Sequence, residues 1–329
     1  MKIKISVIIV NYNGARYLSC CLDALARQTF PDYEVIVVDN ASQDDSAPLI
    51  RRMYPSVRLI ENAQNTGFTG GNDTGLAVAN GEYIALLNND AIPEPDWLLC
   101  LLKGMAAHPR IGICASKLIH AGTGLIDSAG DGCLTSAKGY KRGEQAPATE
   151  YAQAGSVFGA CAGAALYRRA MIDEIGFFDE DFFLIHEDTD LNFRAQLFGW
   201  KCWYVPEAVV YHRTSTTIGI ESDLSIYYNT RNTDFVWVKN LPLSLLIRYL
   251  HHKLLAECAA LLFFGIRKKR LGLFLRAKVA GLRLLPKMLK KRRQLQKARK
   301  VSIGDLSRML TPIWSPEYTQ TRRRRLLGR

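Results

Sequence analysis

Four short apolar runs, separated by stretches with helical spacing, constrain the fold of this chain most strongly. They lie at residues 5–10, 34–38, 57–60 and 83–87. Such runs are typical of strands that are buried on both faces of a parallel sheet. Strands that alternate with helices at this spacing predict βαβ units in an α/β fold. Because these connections are right-handed, the loops after the strands should open on one edge of the sheet.

Polar side chains follow three of these strands and are expected to share one crevice. They are Asn11, Asn13, Asp39, Asn88, Asn89 and Asp90. Ligands of open α/β sheets bind at the carboxyl ends of the strands. A carboxylate at this edge can ligate a divalent metal that neutralises a diphosphate, although Asn and Asp are also common in turns. Asp39 can accept hydrogen bonds from a base or a ribose, or can cap the next helix.

A glycine-rich stretch at residues 67–75 follows the third strand. Its glycines allow a backbone to approach a ligand closely. A dinucleotide-binding unit needs G-x-G-x-x-G after the first strand, but Asn-Tyr-Asn-Gly stands there, which argues against NAD. A nucleotidyltransferase would need a loop rich in Gly and Lys or Arg at the same place, and this loop lacks the charge. Farther along, residues 122–143 are rich in Gly, Ser, Lys and Asp and predict a flexible excursion over the site.

Acidic residues cluster at the start of a helix predicted after residue 186. Glu187, Asp188 and Asp190 occupy its first turn, and Asp190 can pair with Arg194 four residues later. The helix dipole favours acids there by about 0.3–1 kcal/mol each, but three exceed what a cap requires. One of them is therefore a candidate general base. His212 ends a later strand and is a candidate metal ligand, although a lone His is more often simply packed.

The charge of the chain is unevenly distributed. The net charge is +12, and residues 241–329 hold 23 of the 43 basic side chains but only 3 of the 31 acidic ones. Residues 267–300 contain fifteen Lys and Arg and no acid, with leucines at helical spacing and Pro286 as an expected kink. A basic amphipathic helix of this kind favours an anionic membrane surface. The alternative is a helix packed on the rest of the protein. Nucleic acid is not expected, because Phe274 is the only aromatic residue in the run.

Cysteine spacing and hydropathy indicate the cellular compartment of the protein. The eight cysteines include no C-x-x-C pair, which indicates neither a zinc site nor a disulfide framework and fits a reducing compartment. No stretch has eighteen uninterrupted apolar residues, and the first apolar run is too short for a signal peptide. We therefore expect a cytoplasmic protein without a membrane-spanning helix.

Five motifs, in this order, resemble the inverting glycosyltransferases of family two, which have the GT-A fold. The subgroup that the chain resembles contains the rhamnosyltransferase-like enzymes of bacterial cell-surface polysaccharide synthesis. The resemblance covers about residues 3–215. The motifs lie at residues 7–13, 38–42, 65–72, 87–90 and 187–200. Residues 227–232 resemble a further segment of this subgroup.

The resemblance implies a role for each matched residue. Asp39 would hold a uracil or thymine base, and the loop at Asn11 and Asn13 would contact the nucleoside. The residues that would face the nucleotide sugar are Asn65, Gly71 and Asn72. The run Asn88, Asn89 and Asp90 stands in place of the D-x-D motif of the family. Neutral amides are weaker ligands than carboxylates, yet metal dependence is still expected.

The resemblance also implies the chemistry. Asp90 with His212 would hold Mg²⁺ or Mn²⁺, and Asp188 would be the catalytic base with Glu187 as its neighbour. The expected reaction is inverting transfer of a sugar, such as rhamnose, from a dTDP- or UDP-sugar to a lipid-linked or polysaccharide acceptor. A catalytic domain at residues 1–220 would carry it out. The composition of residues 221–329 predicts a basic helical extension that docks the protein on the inner face of the cell membrane. The alternatives are a nucleotidyltransferase and a catalytically decayed sugar-nucleotide-binding scaffold at the membrane.

Overall fold

A ten-stranded mixed sheet flanked by helices forms the centre of the protein. The computed structural model describes residues 3–213 and 222–327. The strands are β1 (Ile5–Asn11), β2 (Tyr33–Asp39), β3 (Arg58–Glu61), β4 (Tyr83–Leu87), β5 (Ala91–Pro93), β6 (Ile111–His120), β7 (Ile126–Ala129), β8 (Asp131–Cys133), β9 (Gly139–Lys141), β10 (Gly155–Val157), β11 (Ala164–Arg168) and β12 (Lys201–His212). The α-helices are α1 (Ala15–Ala26), α2 (Ser46–Met53), α3 (Gly67–Val78), α4 (Trp97–Ala106), α5 (Arg169–Ile175), α6 (Glu187–Leu197), α7 (Asp223–Asn240), α8 (Leu243–Ala260), α9 (Leu271–Ala298), α10 (Ile303–Met309) and α11 (Pro316–Leu327).

The sheet order is β10-β12-β6-β11-β4-β1-β2-β3, with β5 beside β12 and β7 beside β6. The strands β1 to β4 are parallel, as predicted. Strand β11 runs antiparallel between β4 and β6, and β12 runs parallel to β6. The carboxyl ends of β1, β2, β4, β6 and β12 therefore lie at one edge, together with the start of β11. This edge corresponds to the predicted crevice.

Both faces of the sheet are buried. On β1, Val7 and Ile9 belong to one hydrophobic cluster and Ile8 belongs to the other. Helix α3 packs closely on this strand, because its glycines leave room there. A Cβ at Gly71 would lie 2.6 Å from Cγ1 of Val10, and one at Gly75 would lie 2.5 Å from Cγ2 of Ile8. These two glycines therefore approach the sheet, whereas we expected them to approach a ligand.

The expectation of a flexible excursion at residues 122–143 is wrong. This segment contains β7, which pairs with β6, and the hairpin of β8 and β9. Its polar residues are ordered because they pair with each other and with the sheet. The side chain of Lys141, for example, donates to Asp127 at 2.6 Å, and Asp127 is buried. Composition cannot show such pairing.

The residues of the predicted extension share a hydrophobic cluster with the sheet. Phe235, Leu245 and Leu306 pack in the same cluster as Ile84. Part of the basic charge pairs with acids of the catalytic half, as between Lys291 and Asp181 at 2.6 Å. Within the described ranges no helix is both long enough and apolar enough to span a membrane. Pro286 lies inside α9, which continues through it.

Candidate active site

Asn11 links the ends of three strands. Its side-chain amide donates to Oδ1 of Asp39 at 3.0 Å and to Oγ of Ser42 at 3.2 Å, and its Oδ1 accepts from the amide of Asn89 at 2.8 Å. Asn11 is fully buried, and Asp39 and Asn89 are nearly so. The side chain of Asn11 therefore positions Asp39 and Asn89 instead of facing the solvent.

A second amide, Asn40, organises the loops around Asp39. The buried Asn40 side chain donates to Oδ1 of Asn65 at 3.0 Å and to the carbonyl oxygen of Gly67 at 2.9 Å. Asn65 itself is exposed. Asn13 is exposed as well, and its Oδ1 accepts from the backbone N–H of Gln43 at 2.7 Å. Both exposed side chains are accessible beside Asp39.

The structure does not bring Asn72 to the surface of the crevice. Asn72 is 1% exposed, and its amide donates to the carbonyl oxygen of Phe68 one helical turn earlier, at 2.8 Å. Gly71, as described above, packs against β1. Contact of either residue with a sugar stays a prediction.

Asp90 and His212 meet at the ends of neighbouring strands. Nε2 of His212 lies 3.3 Å from Oδ1 of Asp90 and 3.1 Å from the Asn88 amide nitrogen. On the other side of the ring, Nδ1 lies 2.9 Å from Oδ2 of Asp127, and Oδ1 of Asp127 accepts from Lys141. Burial alone would lower the pKa of His212, but its hydrogen bonds with Asp127 and Asp90 outweigh this effect and raise that pKa to about 9.

Asp188 forms a second polar group with Asp131 and Cys161. Their ligand atoms lie within 4.8 Å of one another, and all three side chains are half-buried. The Asp188 carboxylate accepts the backbone N–H of Ala162, although burial raises its pKa. Burial and the charge of Asp188 raise the pKa of Asp131 to about 8. The charge of Asp188 therefore favours the protonated form of Asp131.

Glu187 stands beside Asp188 with an unsatisfied oxygen. Its side chain is buried, and its Oε2 has no hydrogen-bond partner among the described residues. Burial and the charge of Asp188 raise the pKa of Glu187 well above its usual value. A buried carboxyl without partners is favoured in its protonated form, which can donate a hydrogen bond.

One short backbone segment connects the two polar groups. Asn88 donates its backbone N–H to the carbonyl oxygen of Gly163 at 2.9 Å, and the neighbouring Ala162 donates to Asp188. Asn88 in turn contacts His212. Asp188 and Asp90 are thus on the same edge of the sheet.

The side chain of Asn232, in α7, clamps the loop that leads to Asp188. Phe183, Ile185 and His186 have φ between 64° and 69°, a backbone conformation that non-glycine residues rarely adopt. The buried amide of Asn232 donates to the carbonyl oxygens of Phe182, Leu184 and Ile185, at 2.7–2.9 Å. Such a loop persists because its surroundings hold it.

Asp190 proves to be structural. It forms the predicted pair with Arg194 at 2.8 Å, and it also binds Lys239 at 2.8 Å and the amide of Asn240 at 2.9 Å. Its side chain is 0% exposed. Asp190 therefore joins α6 to α7 and has no access to a substrate.

Sequence reasoning missed Asp127, Asp131 and Asn232. The first two lie in the segment that was expected to be flexible, and 85 residues separate Asp127 from His212. Asn232 lies in the segment at residues 227–232, for which the resemblance implies no role. The resemblance of that segment was the one available signal.

The chain matches the model of a known protein family. A family model described as "Glycosyl transferase family 2" matches residues 6–176. The N-acetylglucosaminyl-diphospho-decaprenol L-rhamnosyltransferase of Mycobacterium tuberculosis is 28% identical over 240 residues, which cover 65% of this chain and 77% of the relative. With two other curated relatives, the matched stretches span only about a third of the relative, 33% and 35%.

Solved structures share the architecture. S. aureus TarS 1-349 in complex with UDP-GlcNAc aligns with a TM-score of 0.57 at 17% identity, covering 99% of this chain and 92% of that chain. A mannosyltransferase from Pyrobaculum calidifontis in complex with GDP-Man and Mn²⁺ aligns with a TM-score of 0.52 at 18% identity, covering 85% and 87%. At these identities the likeness shows a common fold.

Proposed function

This chain belongs to glycosyl transferase family 2, and we propose that it transfers a sugar from a nucleoside diphosphate sugar to an acceptor hydroxyl in one displacement with inversion. Its fold is the predicted GT-A fold. One observation carries the proposal. Three groups lie at one edge of the sheet, namely the hydrogen bonds around Asp39, the Asp90–His212 pair, and Asp188 with Asp131 and Cys161. This arrangement supplies a place for the leaving diphosphate and for a base.

The donor is a UDP- or dTDP-sugar in this proposal. Asp39 accepts hydrogen bonds from Asn11 and from the backbone N–H of Ser42, which fixes its carboxylate at the crevice. The carboxylate keeps further lone pairs for a pyrimidine N–H or a ribose hydroxyl. The S. aureus structure contains UDP-GlcNAc, and the mycobacterial relative is named as a rhamnosyltransferase. Rhamnose is therefore the first sugar to test.

A divalent cation fits the Asp90 and His212 pair. The Asp90 carboxylate suits Mg²⁺ or Mn²⁺, and Asp127 orients the His212 ring so that Nε2 faces Asp90 and can join as a ligand once the ring loses its proton. Asp90 and His212 would hold the ion with the donor diphosphate. When bound, the ion neutralises the charge that develops on the leaving diphosphate. The Mn²⁺ in the mannosyltransferase supports this assignment.

Asp188 is the proposed base. Its carboxylate is half-buried and held by the Ala162 N–H, so it can face an acceptor hydroxyl beside the crevice. Burial raises its pKa, which increases its affinity for the proton of that hydroxyl. Glu187 supports the site from a buried position. A single base suffices, because inversion needs one displacement.

The acceptor in this proposal is a lipid-linked saccharide at the inner face of the cell membrane. Exposed apolar side chains recur at helical spacing along α8 and α9, and α9 also carries several exposed Lys and Arg. They are Leu243, Ile247, Leu250 and Leu254 on α8 and Leu271, Leu275, Val279 and Leu282 on α9. Leu282 and Ile247 are 67% and 69% exposed. An anionic bilayer is the surface that matches both features.

Donor turnover tests the enzymatic proposal. Wild-type protein is incubated with a panel of UDP- and dTDP-sugars, Mn²⁺ and acceptor, and release of UDP or dTDP is measured. We expect release with one donor class and a loss of about 10²–10⁴-fold in Asp188→Asn. Wild-type rates in Asp188→Asn would refute the assignment of the base. Release of pyrophosphate from a nucleoside triphosphate would support a nucleotidyltransferase instead.

Vesicle flotation tests the membrane proposal. We expect binding to vesicles with anionic lipid and little binding to purely zwitterionic ones. The double variant Ile247→Asn and Leu254→Asn should lose binding, whereas Met53→Asn, an exposed apolar residue of α2, should retain it. Absence of wild-type binding would refute membrane docking.

A further inference from the structure

The loop before β11 holds Asp131 next to the proposed base. Asp131 and Gly159 exchange two backbone hydrogen bonds, at 2.8 and 3.0 Å. Farther along this loop, the N–H of Ala162 donates to the Asp188 carboxylate. One side-chain oxygen of Asp131, one of Asp188 and Sγ of Cys161 lie within 4.8 Å of one another. Asp131 is therefore close to Asp188, and backbone contacts hold both residues there.

The side chain of Asp131 keeps one oxygen for a ligand. Oγ of Ser128 donates to Oδ1 of Asp131 at 2.9 Å, and among the described residues none donates to Oδ2. Lys141 lies opposite Asp131 in the hairpin of β8 and β9, but it pairs with Asp127 instead, at 2.6 Å. Asp131 is half-exposed, as is Asp188. A carboxyl group in this position can contact a substrate that is bound at the base.

Asp131 is better suited to binding a hydroxyl than to acting as the base. Burial and the charge of Asp188 raise the pKa of Asp131 to about 8, against the opposing effect of Lys141. At neutral pH the group therefore carries a proton, and it can donate one hydrogen bond and accept others. Asp188 receives backbone hydrogen bonds that favour its ionised form. Asp188 thus stays the base, with a neutral hydrogen-bonding group beside it.

The spacing of these two carboxyl groups matches two neighbouring hydroxyls of one sugar ring. A hydroxyl oxygen lies about 2.7 Å from the oxygen with which it shares a hydrogen bond. Oxygens of Asp131 and Asp188 that lie within 4.8 Å of each other can therefore bind hydroxyls on adjacent carbons of the same ring. Hydroxyls on separate sugar rings lie farther apart. The geometry consequently favours contact with a single sugar through two adjacent positions.

We propose that Asp131 determines acceptor specificity by binding the hydroxyl adjacent to the one that Asp188 deprotonates. This inference rests on the proposed glycosyl transfer, and it adds that the acceptor sugar presents two neighbouring hydroxyls. The reacting oxygen forms its bond to the anomeric carbon of the donor, the bond from that carbon to the diphosphate breaks, and the proton goes to Asp188. Asp131 takes no proton in this step. It orients the acceptor ring, so that only one hydroxyl faces the anomeric carbon.

The kinetic test compares an acceptor sugar with its deoxy analogues, each of which lacks one hydroxyl next to the reacting one. With wild type, one analogue should lower kcat/KM about tenfold or more, and Asp131→Ala should cause a similar loss with the complete acceptor. The two losses should not add when Asp131→Ala meets that analogue, because both changes remove the same hydrogen bond. Asp131→Asn can still donate and accept, and should recover most of the rate. Asp173→Ala, at an exposed position of α5, is the matched control. Fully additive losses, or wild-type kcat/KM in Asp131→Ala, would overturn the proposal.

Two further measurements separate this role from others. The complete acceptor, titrated in the presence of UDP or dTDP and Mn²⁺, should bind wild type about tenfold more tightly than Asp131→Ala, and equal binding would overturn the proposal. The Mn²⁺ concentration for half-maximal nucleotide release should be the same in wild type and Asp131→Ala. A raised Mn²⁺ requirement would assign Asp131, Cys161 and Asp188 to a metal ion and would also overturn the proposal. Failure of the proposed function would appear differently, as absence of nucleotide release by wild type from every donor.

Discussion

Nδ1 of His212 lies 2.9 Å from a carboxylate oxygen of Asp127, a residue 85 positions earlier in the chain. Both side chains are buried, and the second oxygen of Asp127 accepts from Lys141. The carboxylate therefore fixes the orientation of the imidazole and directs Nε2 towards Asp90. A ring held in this way is a better metal ligand than a free one, because its basicity and geometry are set in advance.

The first prediction concerns this orientation. Asp127→Asn should weaken metal affinity by about 10–100-fold, because the amide supports the ring less well than the carboxylate does. The metal concentration for half-maximal nucleotide release measures this effect. Asp173→Asn, at an exposed position of α5, is the matched control. Unchanged metal affinity in Asp127→Asn would show that Asp127 does not support the metal site.

The second prediction concerns the clamp on the loop before Asp188. Asn232→Ala removes three hydrogen bonds to backbone carbonyl oxygens, so unfolding free energy should fall by about 1–3 kcal/mol and kcat should fall more than KM changes. Asn232→Asp keeps the shape but cannot donate, and should be worse than Asn232→Ala. Thermal unfolding and steady-state kinetics measure both effects. Wild-type kcat in Asn232→Asp would contradict the clamp.

The third prediction compares two helical glycines. Gly71→Ala should destabilise the fold by about 1–3 kcal/mol, because its Cβ would collide with Val10. Gly272→Ala, in α9, meets no atom within 4 Å and should stabilise by up to about 1 kcal/mol. Urea unfolding gives both values. A Gly71→Ala variant as stable as wild type would contradict the packing of α3 on β1.

The fourth prediction concerns pH and Asp190. Burial alone would raise the pKa of this carboxyl, but Lys239 and Arg194 outweigh it and lower that pKa. A lowered pKa stabilises the folded state above the unfolded pKa of about 3.9, and this contribution is lost as pH falls through the folded pKa. Asp190→Asn should therefore cost about 3–5 kcal/mol at pH 7 and less below pH 4.

Urea unfolding of Asp190→Asn and wild type at pH 7, 5 and 3 measures this difference. Asp173→Asn, at an exposed position of α5, is the control and should leave the pH profile unchanged. A difference between Asp190→Asn and wild type that stays constant from pH 7 to pH 3 would contradict the ionic role of Asp190.

Local patterns in the sequence predicted the parallel strands and the pair of Asp190 with Arg194. Both depend on residues a few positions apart, where periodicity is informative. The pairing of Asp127 with His212 and the clamp by Asn232 join distant segments, and no periodicity marks them. Glycine at position 71 signalled a close approach, but composition does not say whether a ligand or a strand approaches.

The basic extension also makes contacts with distant segments that the sequence does not predict. Its charge was evident from the sequence, whereas the pairing of individual lysines was not. Lys291 and Lys287 bind Asp181 in the loop before α6, at 2.6 Å each, so part of the charge stabilises the fold. Exposed residues such as Arg276 and Arg283 stay accessible for a partner. Only the structure distinguishes the lysines that pair with acids from the basic residues that are exposed.

Thr311 makes two backbone hydrogen bonds with the hairpin of β8 and β9, one to Cys133 at 2.8 Å and one from Thr135 at 2.9 Å. A segment that follows the basic helices thus packs on the hairpin of β8 and β9, which lies beside the proposed base. Truncating the protein to remove its basic helices would therefore also remove these hydrogen bonds to the hairpin. Surface substitutions on α8 and α9 are therefore the way to test the proposed membrane binding while leaving Asp131, Cys161 and Asp188 intact.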